Sequence, residues 1–237
     1  MDLESDIVVY HPADHRLLLC DSLQKKDRFE TFPAFSPDGR TLYFCSAEAK
    51  KIPEEYKEIR YNLCSIDFDP SAGTFGSRID TLVNAEALGK SVSFPRPSYD
   101  GKYIMFTLSD YGNFSIWHKE ANLWLLDLTS GDLRELSEVN SDDTESFHNW
   151  SSNSRWFVFS SRRGDGLYTR LYLASMDENG KISKPFLLPQ EDTETYYDRS
   201  VYSYNVPDFT SEPIKIDTRV FEKKITSKER IQVQADK

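Results

Sequence analysis

The chain has 237 residues, a formal net charge of −10 at pH 7, 38% hydrophobic residues and 14% aromatic residues. This length allows one large domain or two small ones with a substantial core. The acidic balance argues against nonspecific nucleic-acid binding, which needs clustered Lys and Arg. No apolar run approaches the roughly 18–20 residues of a membrane-spanning helix, so we expect no transmembrane segment.

The first predicted element is a hairpin at residues 6–20, "DIVVYHPADHRLLLC", with two strands around a turn near Pro12–Asp14. It matches the last two strands of the four-strand unit that follows it along the chain. We therefore predict a half unit at this end.

The next elements come from a phrase that occurs three times. It reads "FPAFSPDGRTLYFCS" at 32–46, "FPRPSYDGKYIMFTL" at 94–108 and "FHNWSSNSRWFVFSS" at 147–161. The three copies align without a gap, with Phe at places one and thirteen, Ser at place five and Lys or Arg at place nine. Each copy predicts two strands around a tight turn built by Asp or Asn and, in two copies, Gly.

A second hairpin follows each copy, with Gly at turns such as Thr129-Ser130-Gly131 and Glu178-Asn179-Gly180. The unit is therefore four short strands, a to d, and the predicted units are 30–83, 92–136 and 146–190. Four-stranded units that recur every 40–60 residues or so are typical of β-propeller blades. The predicted fold is all-β, a propeller with about three and a half blades in residues 1–210.

Two explanations are open for the missing half blade. The favoured one is that the chain is part of a longer propeller whose remaining blades lie outside it. The other is that the tail, residues 211–237, supplies closing strands, because residues 212–225 alternate between apolar and polar side chains.

The first copy resembles the repeat of TolB-type, WD-repeat-like β-propeller proteins, whose blades share a Ser-Pro-Asp-Gly turn before an apolar strand. The resemblance covers about residues 6–190, and the third copy departs from it with Ser-Asn-Ser at the turn. Stretches such as "SIWHKEANLWLLDL" and "SYNVPDF" resemble a bacterial envelope subgroup that is loosely labelled cytochrome c biosynthesis. The resemblance implies a binding propeller in the periplasm or cell envelope, without a family-wide catalytic set. Met1 taken as the true start, with no signal peptide, would instead indicate the cytoplasm.

The predicted binding face is the one that carries the long b–c and d–a loops, because function concentrates on loops held by a rigid scaffold. Trp117, His118 and Glu120 offer an aromatic platform with a titratable group and a carboxylate. The adjacent Arg162 and Arg163 could clamp a carboxylate or phosphate. His148 and Trp150 begin a strand that is predicted to line the central channel. The candidate ligand-binding residues are Trp117, His118, Glu120, His148, Trp150, Arg162, Arg163, Tyr168 and Arg170.

Each candidate also has a structural explanation. Trp117 could cap a blade core, the arginines could pair with acidic neighbours, and His148 could bond to backbone. The four histidines fall on different units and the three cysteines have no metal-ligand spacing, so we expect no metal and no cofactor. We expect the cysteines to be buried thiols, with a Cys45–Cys64 disulfide left open.

The leading functional prediction is a noncatalytic propeller that binds a protein segment or a small envelope ligand. The rival is a propeller enzyme, a glycoside hydrolase or lyase, in which Glu30, Glu120 and Glu145 would be the candidate carboxylates. A third possibility is an accessory domain of a hydrolase. The sequence has neither a Gly-x-Ser-x-Gly nor a Gly-rich phosphate motif, and we assign no catalytic residue.

Overall fold

The computed structural model describes residues 4–192 and 195–236, and the regular secondary structure of these residues is mainly β-strand. The strands are β1 (Val9–His11), β2 (Arg16–Leu18), β3 (Arg28–Phe35), β4 (Thr41–Glu48), β5 (Asn62–Asp69), β6 (Thr74–Val83), β7 (Ser91–Pro97), β8 (Tyr103–Ser109), β9 (Asn122–Asp127), β10 (Leu133–Glu135), β11 (Glu145–Trp150), β12 (Trp156–Ser161), β13 (Arg170–Ser175), β14 (Phe186–Leu187) and β15 (Gln234–Asp236). Two short helices, α1 (Tyr196–Arg199) and α2 (Arg219–Thr226), lie between β14 and β15.

Three antiparallel sheets of four strands follow one another along the chain. Strands β3–β6 form blade 1, β7–β10 form blade 2 and β11–β14 form blade 3, and in each blade every strand pairs with the next one in sequence. Strands that follow one another along the chain are therefore also neighbours in the sheet. The predicted fold class, a partial β-propeller of four-stranded antiparallel blades, is confirmed.

The first hairpin and the tail differ from what a closed propeller would need. Strands β1 and β2 pair as predicted, but β15 adds to the outer edge of β2 in the parallel direction. Residues 212–225 do not form the strands that the second explanation predicts for them, because helix α2 occupies much of that segment. The tail instead contributes β15. The Asp217 carboxylate accepts the backbone N–H of Arg219 at the start of this helix, which stabilises a helical end.

The same hydrogen-bond network builds the a–b turn of every blade. In blade 3 the Ser151 hydroxyl donates to Asn153 Oδ1 and accepts the backbone N–H of Trp156, while Asn153 Oδ1 also accepts the N–H of Arg155. The bonds around Ser36 and Ser98 are equivalent, with Asp in the place of Asn. This network explains why place five is Ser in all three copies, and why Asn can replace Asp.

Three apolar layers separate the hairpin and the blades. Phe44 of β4 packs toward the hairpin, whereas Tyr43 and Cys45 of the same strand pack toward blade 2. In the same way Phe106 of β8 contacts the layer shared with blade 1, and Met105 contacts the layer shared with blade 3. Both faces of blades 1 and 2 are therefore buried, as the apolar runs of their b strands predict.

The three cysteines are free thiols. Cys45 lies in the layer between blades 1 and 2, and Cys64 lies in the layer between the hairpin and blade 1. The two side chains leave opposite faces of one sheet, so the disulfide that the sequence left open cannot form without rearranging the strands.

We expect Ser151→Ala to lower the free energy of unfolding by about 0.5–1.5 kcal/mol, because it removes the hydroxyl that accepts the Trp156 N–H and donates to Asn153 Oδ1, while Asn153 Oδ1 keeps the Arg155 N–H. The matched control is Ser152→Ala at the exposed neighbouring position in the same turn. Urea denaturation followed by circular dichroism measures both variants. Equal losses in the two variants would contradict the role assigned to place five.

Candidate binding surface on the long-loop face

The long connections of the three blades meet at the end of the sheets opposite the tight a–b turns. The b–c loop of blade 2 docks on that of blade 1, where the N–H of Gly112 donates to the Ile59 carbonyl and the Asn113 amide donates to the Tyr56 carbonyl. The rings of Tyr56 and Tyr111 also meet edge to face, with centroids 5.7 Å apart. The b–c loops of blades 1 and 2 therefore form one continuous surface.

Trp117 and Arg162 meet on this surface. Trp117 ends a 3₁₀ turn (Ser115–Trp117) and keeps 65% of its surface exposed. The Arg162 guanidinium lies over its ring, 4.6 Å from the centroid, at a distance suited to a cation–π contact. The two side chains border a cleft of about 280 Å³ that Leu167 and Tyr204 also line. We call this the Trp117 cleft.

His118 and Glu120 follow Trp117 in the chain, but their contacts are within the loop and not with the cleft. His118 is buried and its ring packs on Tyr111, with centroids 4.1 Å apart. Its Nδ1 atom is 3.1 Å from Glu120 Oε1, so the carboxylate covers the histidine from the solvent side. The pair fixes the end of the blade 2 loop.

His148 and Trp150 join blade 3 to blade 2. His148 Nε2 donates to the Met105 carbonyl at 2.9 Å, and the Trp150 indole N–H donates to the Arg96 carbonyl at 3.1 Å. Both side chains are almost completely buried. Burial lowers the pKa of His148 from 6.5 to about 3, with a further contribution from the nearby Arg96 charge, so the imidazole is neutral at physiological pH.

Arg163 belongs to a buried ion pair. Its guanidinium donates to Glu145 Oε1 at 2.8 Å and lies over the Tyr172 ring, 4.6 Å from the centroid. Ser141 and Ser161 also donate to Glu145, whose side chain is fully buried. Burial raises the pKa of Glu145 even though these donors and Arg163 favour the charged form.

Glu30 occupies the place in blade 1 that Glu145 occupies in blade 3, two residues before the first Phe of the repeat. It is buried, and it accepts a hydrogen bond from Ser46 at 3.3 Å. Burial raises its pKa as well. The two glutamates are therefore repeated Glu–Ser contacts in separate blades, and they do not form a pair across one open site.

Arg170 anchors the segment that follows blade 3. Its guanidinium donates to the carbonyls of Ser200 and Tyr202 and lies over the ring of Tyr168, 5.2 Å from the centroid. The backbone N–H of Tyr204 in turn donates to the Thr169 carbonyl. This segment therefore forms one wall of the Trp117 cleft.

The structure thus divides the nine predicted residues by their surroundings. Trp117 and Arg162 come together at an exposed cleft, whereas the buried residues among the nine make contacts within the chain. Ligand binding by any of the nine stays a prediction. Leu167 and Tyr204 also line the cleft but are not among the predicted residues. The "SYNVPDF" stretch that contains Tyr204 has a sequence resemblance but no spacing that indicates its contact with blade 3, because that contact depends on tertiary structure.

Within 4–192 and 195–236, no cluster of three or more His, Cys, Asp or Glu side chains is placed to hold a metal ion. In the same ranges, no helix is long and apolar enough to cross a membrane.

Several solved structures resemble this chain. TolB from Acinetobacter baumannii is 18% identical over 78% of this chain and 41% of its own, with a TM-score of 0.43. The β-propeller domain of the Trilobed protease from Pyrococcus furiosus is 17% identical over 70% and 44%, with a TM-score of 0.40. A puromycin-hydrolyzing peptidase from Mycobacterium tuberculosis is 16% identical over 77% and 28%, with a TM-score of 0.49.

This chain therefore spans less than half the length of each of these structures. No family model and no curated protein matches it. The order of strands in its own sheets defines the propeller fold without help from these matches. None of the three concerns cytochrome c biosynthesis, so that label has no support beyond the resemblance in sequence.

We expect the buried His148 to make the protein less stable as the pH falls. Folded His148 takes up a proton only near pH 3, whereas the unfolded side chain takes one up near pH 6.5. The unfolded state therefore binds more protons between these values, and the free energy of unfolding falls by up to about 1.4 kcal/mol per pH unit. Urea titrations of the wild type and His148→Gln between pH 7 and pH 4 measure the difference.

His11→Gln on the exposed hairpin is the control, because that variant keeps the buried imidazole. Its stability should follow the wild-type pH dependence above about pH 5, where Asp14, the partner of His11, is ionised in both proteins. The His148→Gln curve should be flatter over the same range. Parallel curves for the wild type and His148→Gln would show that His148 is not held neutral by burial.

Proposed function

We propose that this chain is a noncatalytic binding propeller that holds a protein segment or a small envelope ligand on its long-loop face. The observation that carries the proposal is the exposed Trp117 ring with the Arg162 guanidinium against it, at the border of a concave cleft. Trp and Arg in such a setting are the residue types that dominate binding energy at protein interfaces.

The chemistry of the Trp117 cleft favours a ligand with an apolar part and an acidic part. Trp117 and Leu167 expose 65% and 68% of their surfaces, so an apolar group that covers them removes much apolar area from water. Arg162 beside them offers a cation in a chain whose net charge is −10. An acidic residue next to an aromatic or aliphatic one in a partner segment would suit both features.

The alternative is a propeller enzyme, a glycoside hydrolase or lyase, or an accessory domain of a hydrolase. Glycoside hydrolysis needs two carboxylates that converge on one open site. Glu30 and Glu145 are sealed in different blades, and Glu120 lies against His118. These placements support binding over catalysis for the part of the chain described, and they leave the accessory role compatible with a binding surface.

We extend the proposal to location and to the rest of the protein. The resemblance to TolB-type envelope propellers supports the periplasm or cell envelope, and a protein partner is the expected occupant. Propellers usually have four to eight blades, so we propose that further blades lie outside these residues.

The test is a selection of random peptides displayed on phage against the wild-type chain. Peptides that bind the long-loop face should lose about 10- to 100-fold in affinity for Trp117→Ala, the range expected of a central aromatic anchor. Arg162→Ala should weaken acidic peptides more than neutral ones. Isothermal titration calorimetry with synthetic peptides measures each affinity.

Trp156→Ala is the matched control. Trp156 is also exposed, at 41%, but it begins β12 beside the a–b turn at the opposite end of blade 3. Affinity for this variant should equal that of the wild type. Selected peptides that are indifferent to Trp117→Ala, or equally weakened by Trp156→Ala, would contradict the assignment of the binding face.

A further inference from the structure

Four phenylalanines with a left-handed backbone line one cavity near the centre of the blades. Phe32, Phe94, Phe114 and Phe147 have φ values of 53°, 54°, 55° and 49°. This region costs a residue with a side chain roughly 1–2 kcal/mol, and a bulky residue there is an outlier. All four border the same cavity of about 270 Å³, which we call the Phe pocket.

Three of these residues are the first Phe of each repeat copy. At Phe32, Phe94 and Phe147 the pairing of strand a with strand b shifts register, so each Phe lies in a bulge. Their rings form a row, with centroids 4.3 Å apart between Phe32 and Phe94 and 4.9 Å apart between Phe94 and Phe147. Bulges re-aim side chains, and here they bring three rings from three blades together.

Phe114 is not part of the repeat, yet it has the same backbone conformation and borders the same cavity. It precedes the 3₁₀ turn in the b–c loop of blade 2, and its side chain is 61% exposed. Packing within the chain therefore offers it little compensation for the strained backbone. Strain that packing does not repay is a mark of functional positions.

The remaining lining of the Phe pocket is neutral. Tyr61 and Ile116 add apolar wall, and Thr31, Asn113 and Ser115 add hydroxyl and amide groups. A side chain at Gly112 would reach within 2.4 Å of the Tyr61 ring, so glycine lets the loop lie close against this wall. Since none of the described residues that line the pocket is charged, a charged ligand would lose its hydration without gaining a partner there.

We propose that the Phe pocket binds a small neutral molecule with one or two fused aromatic rings. Aromatic walls favour a ring over an aliphatic chain, because ring edges and faces pair favourably. An apolar cavity of about 150 Å³ accepts benzene, so this larger space suits a bicyclic ring. The inference goes beyond the proposed function, since the pocket is distinct from the Trp117 cleft; Ile116 borders both.

The test uses indole as the probe and the full chain with ¹³C-methyl-labelled threonine. The Thr31 methyl reports the Phe pocket, and the Thr169 methyl reports the Trp117 cleft. Titration with indole should shift the Thr31 resonance in a saturable manner, through ring currents, and should leave the Thr169 resonance in place.

Phe114→Gly is the informative variant, because glycine adopts φ 55° without strain and the exposed ring contributes little to folding. We expect it to weaken indole binding about tenfold while the melting temperature stays the same or rises. The control Phe186→Ala removes another exposed Phe, from the outer strand of blade 3, and should leave indole binding unchanged. Indole-3-carboxylate, an anion, should bind at least about tenfold more weakly than indole.

Four results would overturn the inference. The first is a Thr31 methyl that indole does not shift, and the second is an indole affinity that Phe114→Gly does not change. The third is a saturable shift at Thr169 with none at Thr31, which would place the ring in the Trp117 cleft and leave the proposed function standing. A Thr31 shift produced by tryptophan-containing peptides but not by indole would likewise replace the small molecule with a protein partner.

Discussion

Burial of both faces of each middle sheet is the constraint on which the rest of the structure depends. In β4, Phe44 packs against the hairpin while Tyr43 packs against blade 2, and in β8 the same division holds for Phe106 and Met105. Strands that are buried on both sides consist mainly of apolar residues, so they have few polar side chains that could contact a ligand. The Phe pocket and the Trp117 cleft are accordingly lined mainly by loop residues and by residues of strand a.

The same constraint explains where the third repeat copy departs from the first two. Prolines stand at places two and four of the second copy, and His148 and Trp150 stand there in the third. Both of these side chains donate to carbonyls of blade 2, and Ser154 Oγ accepts the N–H of Asp100 across the same contact. These polar residues replace repeat residues because they join neighbouring blades, and a buried donor with a partner is far less costly than one without.

The fold could be predicted from the sequence because its signals are local: turn residues, short apolar strands and their recurrence.

The candidate site could be predicted in part. Loop lengths indicated the face that carries Trp117 and Arg162, but the partners of Arg163 and Arg170 come from distant parts of the chain that no spacing reveals. The alternating pattern at 212–225 predicted strands, but residues 219–226 form a helix for a related reason. They are exposed, so no neighbouring sheet edge imposes a strand on them, and the carboxylate of Asp217 favours the helix.

The repeated Phe was visible in the sequence, but its backbone conformation was not. Ser154 also has a positive φ, of 56°, and the turn explains it, because Ser154 stands where the other copies have Gly39 and Gly101. Phe114 has no glycine counterpart in the repeat; it precedes the 3₁₀ turn, where its carbonyl accepts the N–H of Trp117. The left-handed residue there directs its own ring to the Phe pocket, and the 3₁₀ turn that follows presents Ile116 to both cavities and Trp117 to the cleft. Glycine would adopt the same backbone conformation at lower cost. The strained Phe at this position is therefore explained by its ring and not by the turn, in line with the role proposed for the ring in the Phe pocket.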